Sequence, residues 1–330
     1  MGLLQRFSAR PIIPGTHPID VLVAWLTCGS KLFTQGWGDE SLLADLSQHA
    51  AFGNPPPAIC VDWHVTERWG GKVQRDGTFL SPLRSLPAKA MTVHVRACSE
   101  TGNAAACVIL AGSRDEGYAM RERAFGNVTS RGVDIYLLEN PFYGRRRTTT
   151  ASASLKTFSD HVLMNLGTIW EARALLEYLR GYYQKLTVAG YSMGGHMAAI
   201  TAAVCPFPLA CAALATGASA APIYTQGLLS WSIDLNALAG ESHLQSAASQ
   251  RLRLLIEAAD LTRHAPPMRS DAAVIVGCAR DGYVLRSEIE RLHEYWPGSI
   301  LRWLSAGHVT GFITKRAILR DAVVDASERL

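Results

Sequence analysis

Leu186-Thr187-Val188-Ala189-Gly190-Tyr191-Ser192-Met193-Gly194-Gly195-His196-Met197-Ala198-Ala199 is the stretch whose reading decides the fold. Its apolar, β-branched half ends at Gly190, and a run of small, helix-favouring residues from Met197 to Val204 follows almost at once. The spacing predicts a strand, a sharp turn and a helix, with Ser192 at the bend of the pattern G-x-S-x-G. A residue held at such a bend has a strained backbone and is crowded from two positions before and two after; glycine at 190 and 194 removes that clash. Ser192 Oγ would then project above the sheet. The helix that starts there would aim its free N–H groups and positive dipole end at the same spot, which makes the Met193 N–H a donor to a developing oxyanion. The bare pattern also fits an ordinary Gly-rich turn, and only the strand before it and the helix after it give it chemical meaning.

Working outward, strands and helices alternate on both sides of this elbow. Ala106 to Leu110 and Val133 to Leu138 are uninterrupted apolar runs of the kind buried on both faces of a sheet. A helix is expected from about Tyr118 to Phe125, and a long one from Asp160 to Tyr183 delivers the chain to the elbow strand. Leu209 to Thr216, Ala272 to Cys278 and Ser299 to Leu304 read as further strands, with helices from Leu285 to Trp296 and from Thr310 to Arg329. This alternation implies a parallel sheet covered on both sides, with ligands at the carboxyl ends of its strands. Ahead of it, Ile59 to Val65, a hairpin around Asp76-Gly77 and the alternating Met91 to Ala97 read as an antiparallel start. Residues 218 to 268 break the rhythm: Trp231 to Leu238 and Gln245 to Leu261 are amphipathic with no strand between them, an insertion that either caps the active-site mouth or is a packing embellishment away from it. Residues 1 to 57 read as an extension, with apolar helical periodicity from Ile19 to Thr34, a short helix from Asp39 to Ala50 and a loop at Gly53-Asn54-Pro55-Pro56-Pro57. The α/β domain then spans 58 to 330.

Composition is that of a globular enzyme, since 330 residues with 48% hydrophobic and 18% charged can bury a sizeable core. A net charge of +4, evenly spread, without zinc-finger spacing or a long basic run, gives no reason to expect nucleic acid as a partner. Seven cysteines, an odd number without paired spacing, fit thiols in a reducing compartment better than a disulfide framework. No His, Cys, Asp or Glu pair has metal-ligand spacing and no Gly-rich loop would cradle phosphate, so neither metal nor cofactor is expected. Residues 1 to 19 carry Arg6 and Arg10 and fit either a weak mitochondrial presequence or an ordinary amino terminus.

A serine hydroxyl needs a base, and the base an acid to hold its tautomer. Position in the sheet selects both. Asp281 follows the strand 272 to 278 at its carboxyl end, and His308 follows the last strand after Gly307, whereas His293 falls mid-helix and His264 in the insertion. Singly, Asp281 also fits a turn residue before Gly282 and His308 a helix start. The chain order Ser192, Asp281, His308 is that of an α/β-hydrolase triad. A second oxyanion donor would come from the turn after 106 to 110, where Ser113 N–H is the candidate; His196 reads as a packing residue. Arg145, Arg146 and Arg147, with Arg114, Arg121 and Arg123, leave neighbouring strand ends. They either rim the site, with Trp231 and its apolar neighbours above to take an acyl chain, or form a solvated basic face.

Several segments together carry a more specific likeness. Leu32-Phe33-Thr34-Gln35-Gly36-Trp37-Gly38, Leu110-Ala111-Gly112-Ser113-Arg114-Asp115, Leu137-Leu138-Glu139-Asn140-Pro141-Phe142-Tyr143-Gly144, Ser192-Met193-Gly194-Gly195-His196-Met197-Ala198, and Trp296-Pro297-Gly298 with Gly307-His308 resemble those of the eukaryotic α/β-hydrolase-domain-containing protein eighteen family. The likeness spans roughly residues 32 to 330. It implies an α/β-hydrolase fold, a mostly parallel, doubly covered sheet with a short helical cap insertion, and Ser192, Asp281 and His308 in the catalytic positions. It also implies an intracellular setting, mitochondrial or otherwise cytoplasmic. The segment between the elbow helix and the acid strand is much shorter than in vertebrate-type members. The expected activity is hydrolysis of an ester or thioester through an acyl-enzyme, with a lipid, such as a phospholipid, as substrate and peripheral contact with a membrane. The competing reading is a binding or scaffold protein on a hydrolase fold that has lost turnover.

Overall fold

A computed structural model describes residues 12–45, 52, 55–69, 71–148 and 155–330. The presequence question concerning residues 1 to 19, the end of the helix expected over 39 to 50, and the Gly53-Asn54 part of the loop after it therefore lie wholly or partly outside the described residues. The strands are β1 (Asp62–Trp69), β2 (Lys72–Leu80), β3 (Thr92–Glu100), β4 (Ala105–Leu110), β5 (Val133–Leu138), β6 (Lys185–Tyr191), β7 (Ala210–Leu214), β8 (Ala273–Cys278) and β9 (Ile300–Leu304). The helices are α1 (Pro18–Thr27), α2 (Glu40–Ala44), α3 (Ala119–Phe125), α4 (Phe158–Leu179), α5 (Met193–Ala203), α6 (Ala221–Thr225), α7 (Leu235–Ala239), α8 (Gln245–Glu257), α9 (Arg286–Tyr295), α10 (His308–Thr314) and α11 (Arg316–Arg329).

All nine strands form one sheet in the order β1-β2-β3-β5-β4-β6-β7-β8-β9. The pairs from β1 to β3, and β3 with β5, are antiparallel; from β5 to β9 every pair is parallel. The two-residue period of a strand divides its side chains between two cores. On one face Val108, Tyr136, Val188, Cys211 and Ile275 pack with Leu175 and Leu176 of α4, Met197 of α5 and Leu292 of α9. On the other, Cys107, Ile135, Ala189, Leu214 and Val276 pack with Phe125 of α3 and Leu319 and Val323 of α11. Both faces of the parallel strands β4 to β8 are thus removed from water, which is why those strands read as continuous apolar runs, whereas β9 at the sheet edge is half-buried.

Local choices in the sequence explain the element ends. Pro18 fixes the first turn of α1, where no N–H is needed, and the His17 ring accepts the Ile19 N–H at 3.2 Å. Thr157 caps α4 through the Asp160 N–H at 3.1 Å. The expected hairpin at Asp76-Gly77 is a correction: those residues lie inside β2, opposite His64 and Trp63, and the chain reverses between Trp69 and Lys72, where Gly71 has φ of +82°. Gly77 is required there for another reason, since a Cβ would meet the Trp63 ring at 2.6 Å, while Asp76 forms a two-pronged pair with Arg96 at 2.6 and 2.8 Å. The periodicity from Ile19 to Thr34 yields helix only to Thr27, and the carboxyl-terminal helix is two helices that break at Lys315. None of the seven thiols is in a disulfide.

The segment after β7 and the amino-terminal extension pack together. Leu32 and Ile233 form a parallel bridge, and Leu32, Phe33, Leu43 and Phe158 share a core with Leu238, Leu252 and Ile256. A smaller cluster joins Ala24 of α1 to Leu228 and Trp231. The cover over the sheet is therefore built from the amino-terminal extension and the insertion after β7.

Candidate active site

β6 runs without interruption into α5 through Ser192, whose φ of 58° and ψ of −121° lie outside the ordinary regions for a residue with a side chain. The strain is held by hydrogen bonds on both sides, from Ser192 N–H to the Leu214 carbonyl at 2.8 Å and from His196 N–H to the Ser192 carbonyl at 3.0 Å. The glycines answer to two different crowdings. A Cβ at Gly190 would lie 2.3 Å from the Gly194 carbonyl group, and one at Gly194 would lie 2.5 Å from the Leu110 carbonyl oxygen at the end of β4. Gly194 thus lets the start of α5 press against the neighbouring strand.

Asp281 and His308 meet across the carboxyl ends of β8 and β9. The His308 Nδ1 lies 2.7 Å from Asp281 Oδ2, and a carboxylate acceptor assigns the proton to Nδ1, which leaves Nε2 as the basic nitrogen. Asp281 Oδ1 accepts the N–H groups of Tyr283 and Val284 at 2.8 and 2.9 Å, which locks the carboxylate plane. Burial opposes charging of the imidazole, but Asp281, through its charge and its hydrogen bond, and then Asp20 outweigh it, so the His308 pKa is raised above the ordinary histidine value. The Tyr191 hydroxyl donates to the His308 carbonyl at 2.6 Å and fixes the backbone of the same residue.

Ser192, His308 and Ser113 all line one cavity of about 330 Å³. Its walls are mainly apolar: Val23 and Ala24 from α1, Phe125 from α3, Leu228 and Leu229 from the segment after α6, and Phe312 from α10. Met193 is the first residue of α5, so its N–H has no carbonyl a turn earlier to bind. Ser113 lies in the turn after β4, whose shape is held by Asn140 Nδ2 donating to the Ala111 carbonyl at 3.3 Å and by the Arg114 N–H donating to the Tyr143 hydroxyl at 3.1 Å. Arg114 itself has φ of 64°.

The cationic residues divide sharply. Arg114 and Arg121 line the cavity, and Arg123, Arg145, Arg146 and Arg147 do not. Arg121 is nonetheless consumed by structure: it pairs with Asp115 at 2.8 Å and donates to the carbonyls of Ile109, Leu138 and Gly117, tying off the ends of β4 and β5. Arg146 has no exposed surface and binds Glu171, Arg147 pairs with Glu116, and Arg145 lies 6.0 Å over the Tyr118 ring. Trp231 is buried against Ala24 and Leu228, one position from the cavity residue Ser232. The His196 ring nitrogens lie 3.4 and 3.2 Å from the Gly217 and Ala259 carbonyl oxygens, and the neutral ring donates to one of them, which braces the elbow helix against the segment that follows β7. No group of three or more His, Cys, Asp or Glu among the described residues is placed to hold a metal ion.

Sequence reading missed Asp20. It is fully buried beneath the His308 loop, and its only signal was an acidic residue one turn into an otherwise apolar helix.

Known structures share this architecture. The chain superposes with a TM-score of 0.58 and 12% identity on an acetyl xylan esterase from Paenibacillus sp. R4, covering 92% of this chain and 99% of that one. The values are 0.58 and 12%, over 99% of both chains, for acetyl xylan esterase 1 from Thermoanaerobacterium sp. JW/SL YS485. For an S-formylglutathione hydrolase from Agrobacterium tumefaciens they are 0.51 and 13%, over 83% of this chain and 100% of that one. At such identities the likeness establishes the α/β-hydrolase fold. The sequence model of the family described as alpha/beta hydrolase domain containing 18 matches residues 30–246 and 241–329. The chain belongs to the alpha/beta hydrolase domain containing 18 family.

Proposed function

We propose that the protein is a serine hydrolase that cleaves a carboxylic ester or thioester through an acyl-enzyme, with a lipid, such as a phospholipid, as its substrate. The observation that carries this reading is that the strained Ser192 and the Asp281-held His308 line the same apolar cavity. In the first half-reaction His308 Nε2 takes the Ser192 Oγ proton as the oxygen attacks the carbonyl carbon. The carbonyl oxygen gains the negative charge and is received by the Met193 and Ser113 N–H groups. Collapse of this intermediate expels the alcohol or thiol, which leaves with the proton from His308, and a water activated by the same nitrogen then releases the acid.

The lipid assignment rests on the walls and on their edge. A cavity of about 330 Å³ with mostly aliphatic and aromatic lining suits a hydrocarbon chain better than a polar acyl group. Met120 and Ile313 both line it and are 49% and 53% exposed, so apolar surface continues from the cavity to the outside, as peripheral contact with a membrane would require. None of the described helices is long and apolar enough to cross a membrane.

The test is labelling with a fluorophosphonate probe, followed by hydrolysis of a phospholipid in mixed micelles. Wild type should label and Ser192→Ala should not, with nearly equal thermal unfolding midpoints, because one hydroxyl contributes little to the core. Equal labelling of both proteins, or none of either, would overturn the hydrolase reading. Labelling without phospholipid turnover would overturn the lipid assignment alone.

A further inference from the structure

Resting on that hydrolase reading, we infer that Asp20, on the amino-terminal helix α1, is a positioning residue for His308. Its carboxylate ties together the two loops that carry Asp281 and His308 and places a second negative charge behind the imidazole. The side chain is fully buried. Its Oδ2 accepts the His308 N–H at 2.7 Å and the Gly282 N–H at 3.1 Å, and its Oδ1 accepts the Val309 N–H at 3.0 Å. Gly282 directly follows Asp281, so one carboxylate fixes the backbone beside both members of the His308–Asp281 pair. Three donors converging on one group require an acceptor with no hydrogen of its own, which an ionised carboxylate supplies and a carboxamide does not.

Independent features bring α1 to this place. The His17 N–H donates to the Arg280 carbonyl at 2.9 Å, joining the helix start to the loop after β8. A Cβ on Gly307 would come within 2.4 Å of His17 Cβ and 2.7 Å of Asp20 Oδ1, so the glycine before His308 is what allows α1 to approach. Thr310 Oγ1 accepts the Gly307 N–H at 2.9 Å and closes the same turn.

The titratable groups around His308 come from four elements. They are Asp281 and Tyr283 in the loop after β8, Cys278 at the end of β8, Tyr191 at the end of β6, and Asp20 on α1 with the residue that caps it, His17. Asp20 touches the backbone of His308 and not its ring, so it acts on the base through position and charge. Burial pushes the imidazole toward its neutral form, and Asp281 and then Asp20 push the other way. Removing the Asp20 charge therefore lowers the His308 pKa.

The experiment uses Asp20→Asn and Gly307→Ala. The first removes the charge with little change of shape; the second keeps every charge and forces the carboxylate away from the loop. Two readouts are taken: the pH profile of kcat/KM, and the titration of the His308 imidazole by NMR. In each variant the acid limb and the NMR titration should move to lower pH by about half a unit or more. In each, kcat should fall about ten- to a hundredfold with KM nearly unchanged, because the base is displaced and not the substrate. A loss of kcat with an unchanged His308 titration would make Asp20 a structural clamp and overturn the inference. Should Asp20→Asn fail to fold, the titration of Gly307→Ala decides alone, lowered in support or unchanged in refutation. If wild type shows no turnover, the hydrolase reading falls while the NMR titrations still decide what Asp20 does to His308.

Discussion

Arg146 and Glu171 bury their charges against each other with neither side chain exposed, the guanidinium meeting the carboxylate at 2.6 and 2.8 Å. Ser81 adds a 2.6 Å hydrogen bond to Glu171, and Arg146 also donates to the carbonyls of Glu139 and Ala90. Removing one partner of such a pair leaves an uncompensated buried charge, which costs about 3 to 5 kcal/mol. Arg146→Ala should therefore lower the urea midpoint sharply or prevent folding, whereas Arg146→Met with Glu171→Leu should recover part of the loss. A single variant as stable as wild type would show that the pair is solvated in solution. Loss of activity on mutating Arg146 would consequently say nothing about substrate.

The elbow and the strand-end positions of Asp281 and His308 were legible because they rest on local signals, a change of period and a residue's place relative to its strand. What was not legible depends on partners far along the chain. Arg146 sits in a run of three cations, and no sequence rule tells which of them finds Glu171 twenty-five residues later. Asp20 reads as an ordinary first-turn acid until α1 is laid across loops more than 260 positions away. Asp76-Gly77 reads as a turn because turn propensity is local, while the Trp63 ring that demands Gly77 lies on the neighbouring strand. The cap was read from one insertion, since nothing local shows that residues near 30 pair with residues near 233.

The pH dependence of catalysis follows from the direction of the His308 shift. Only the neutral imidazole accepts the serine proton, and the pKa is raised from 6.5. The acid limb of kcat/KM should accordingly lie above about 6.5, with rates falling tenfold per unit below it. In Asp281→Asn the limb should move down and kcat should drop on the order of ten-thousandfold. A limb unchanged by this substitution would separate Asp281 from the base.

Stability should fall in acid for a different histidine. His161 is buried among Phe33, Phe158 and Tyr224, with its Nε2 2.9 Å from the Tyr224 hydroxyl and 3.1 Å from the Asn165 amide, and burial pushes its pKa from 6.5 to about 4. A histidine whose folded pKa is depressed adds stability that is present above the unfolded value and is lost as pH falls toward the folded one. The window is pH 6.5 to about 4, and the shift corresponds to about 3 kcal/mol. His308, shifted the other way, adds stability that is complete below about 6.5 and lost as pH rises through its raised value. Thermal unfolding of wild type and His161→Gln across pH 7 to 4 checks this. The variant should start less stable and lose less on acidification, and parallel curves would remove His161 from the account.

On the lipid reading proposed above, Arg114 is the cation best placed to select a head group. It lines the cavity and holds the Ser30 carbonyl at 3.0 Å through Nη2, while Arg121, the other cavity cation, is committed to Asp115 and three carbonyls. Guanidinium groups favour phosphate and carboxylate because their donors match the spacing of two anionic oxygens. Arg114→Gln keeps a side chain at the same positive φ, so the backbone strain is equal in the two proteins and the comparison isolates the charge. On an anionic phospholipid the variant should raise KM about tenfold, the size expected for one partly exposed charged hydrogen bond. On a short neutral ester both kcat and KM should stay within about twofold. Added salt should weaken the wild type on the anionic lipid and leave the variant nearly unaffected, since a half-exposed charge is screened. An equal loss on both substrates would mean that Arg114 serves the turn carrying Ser113, and the head group would then have to be recognised elsewhere.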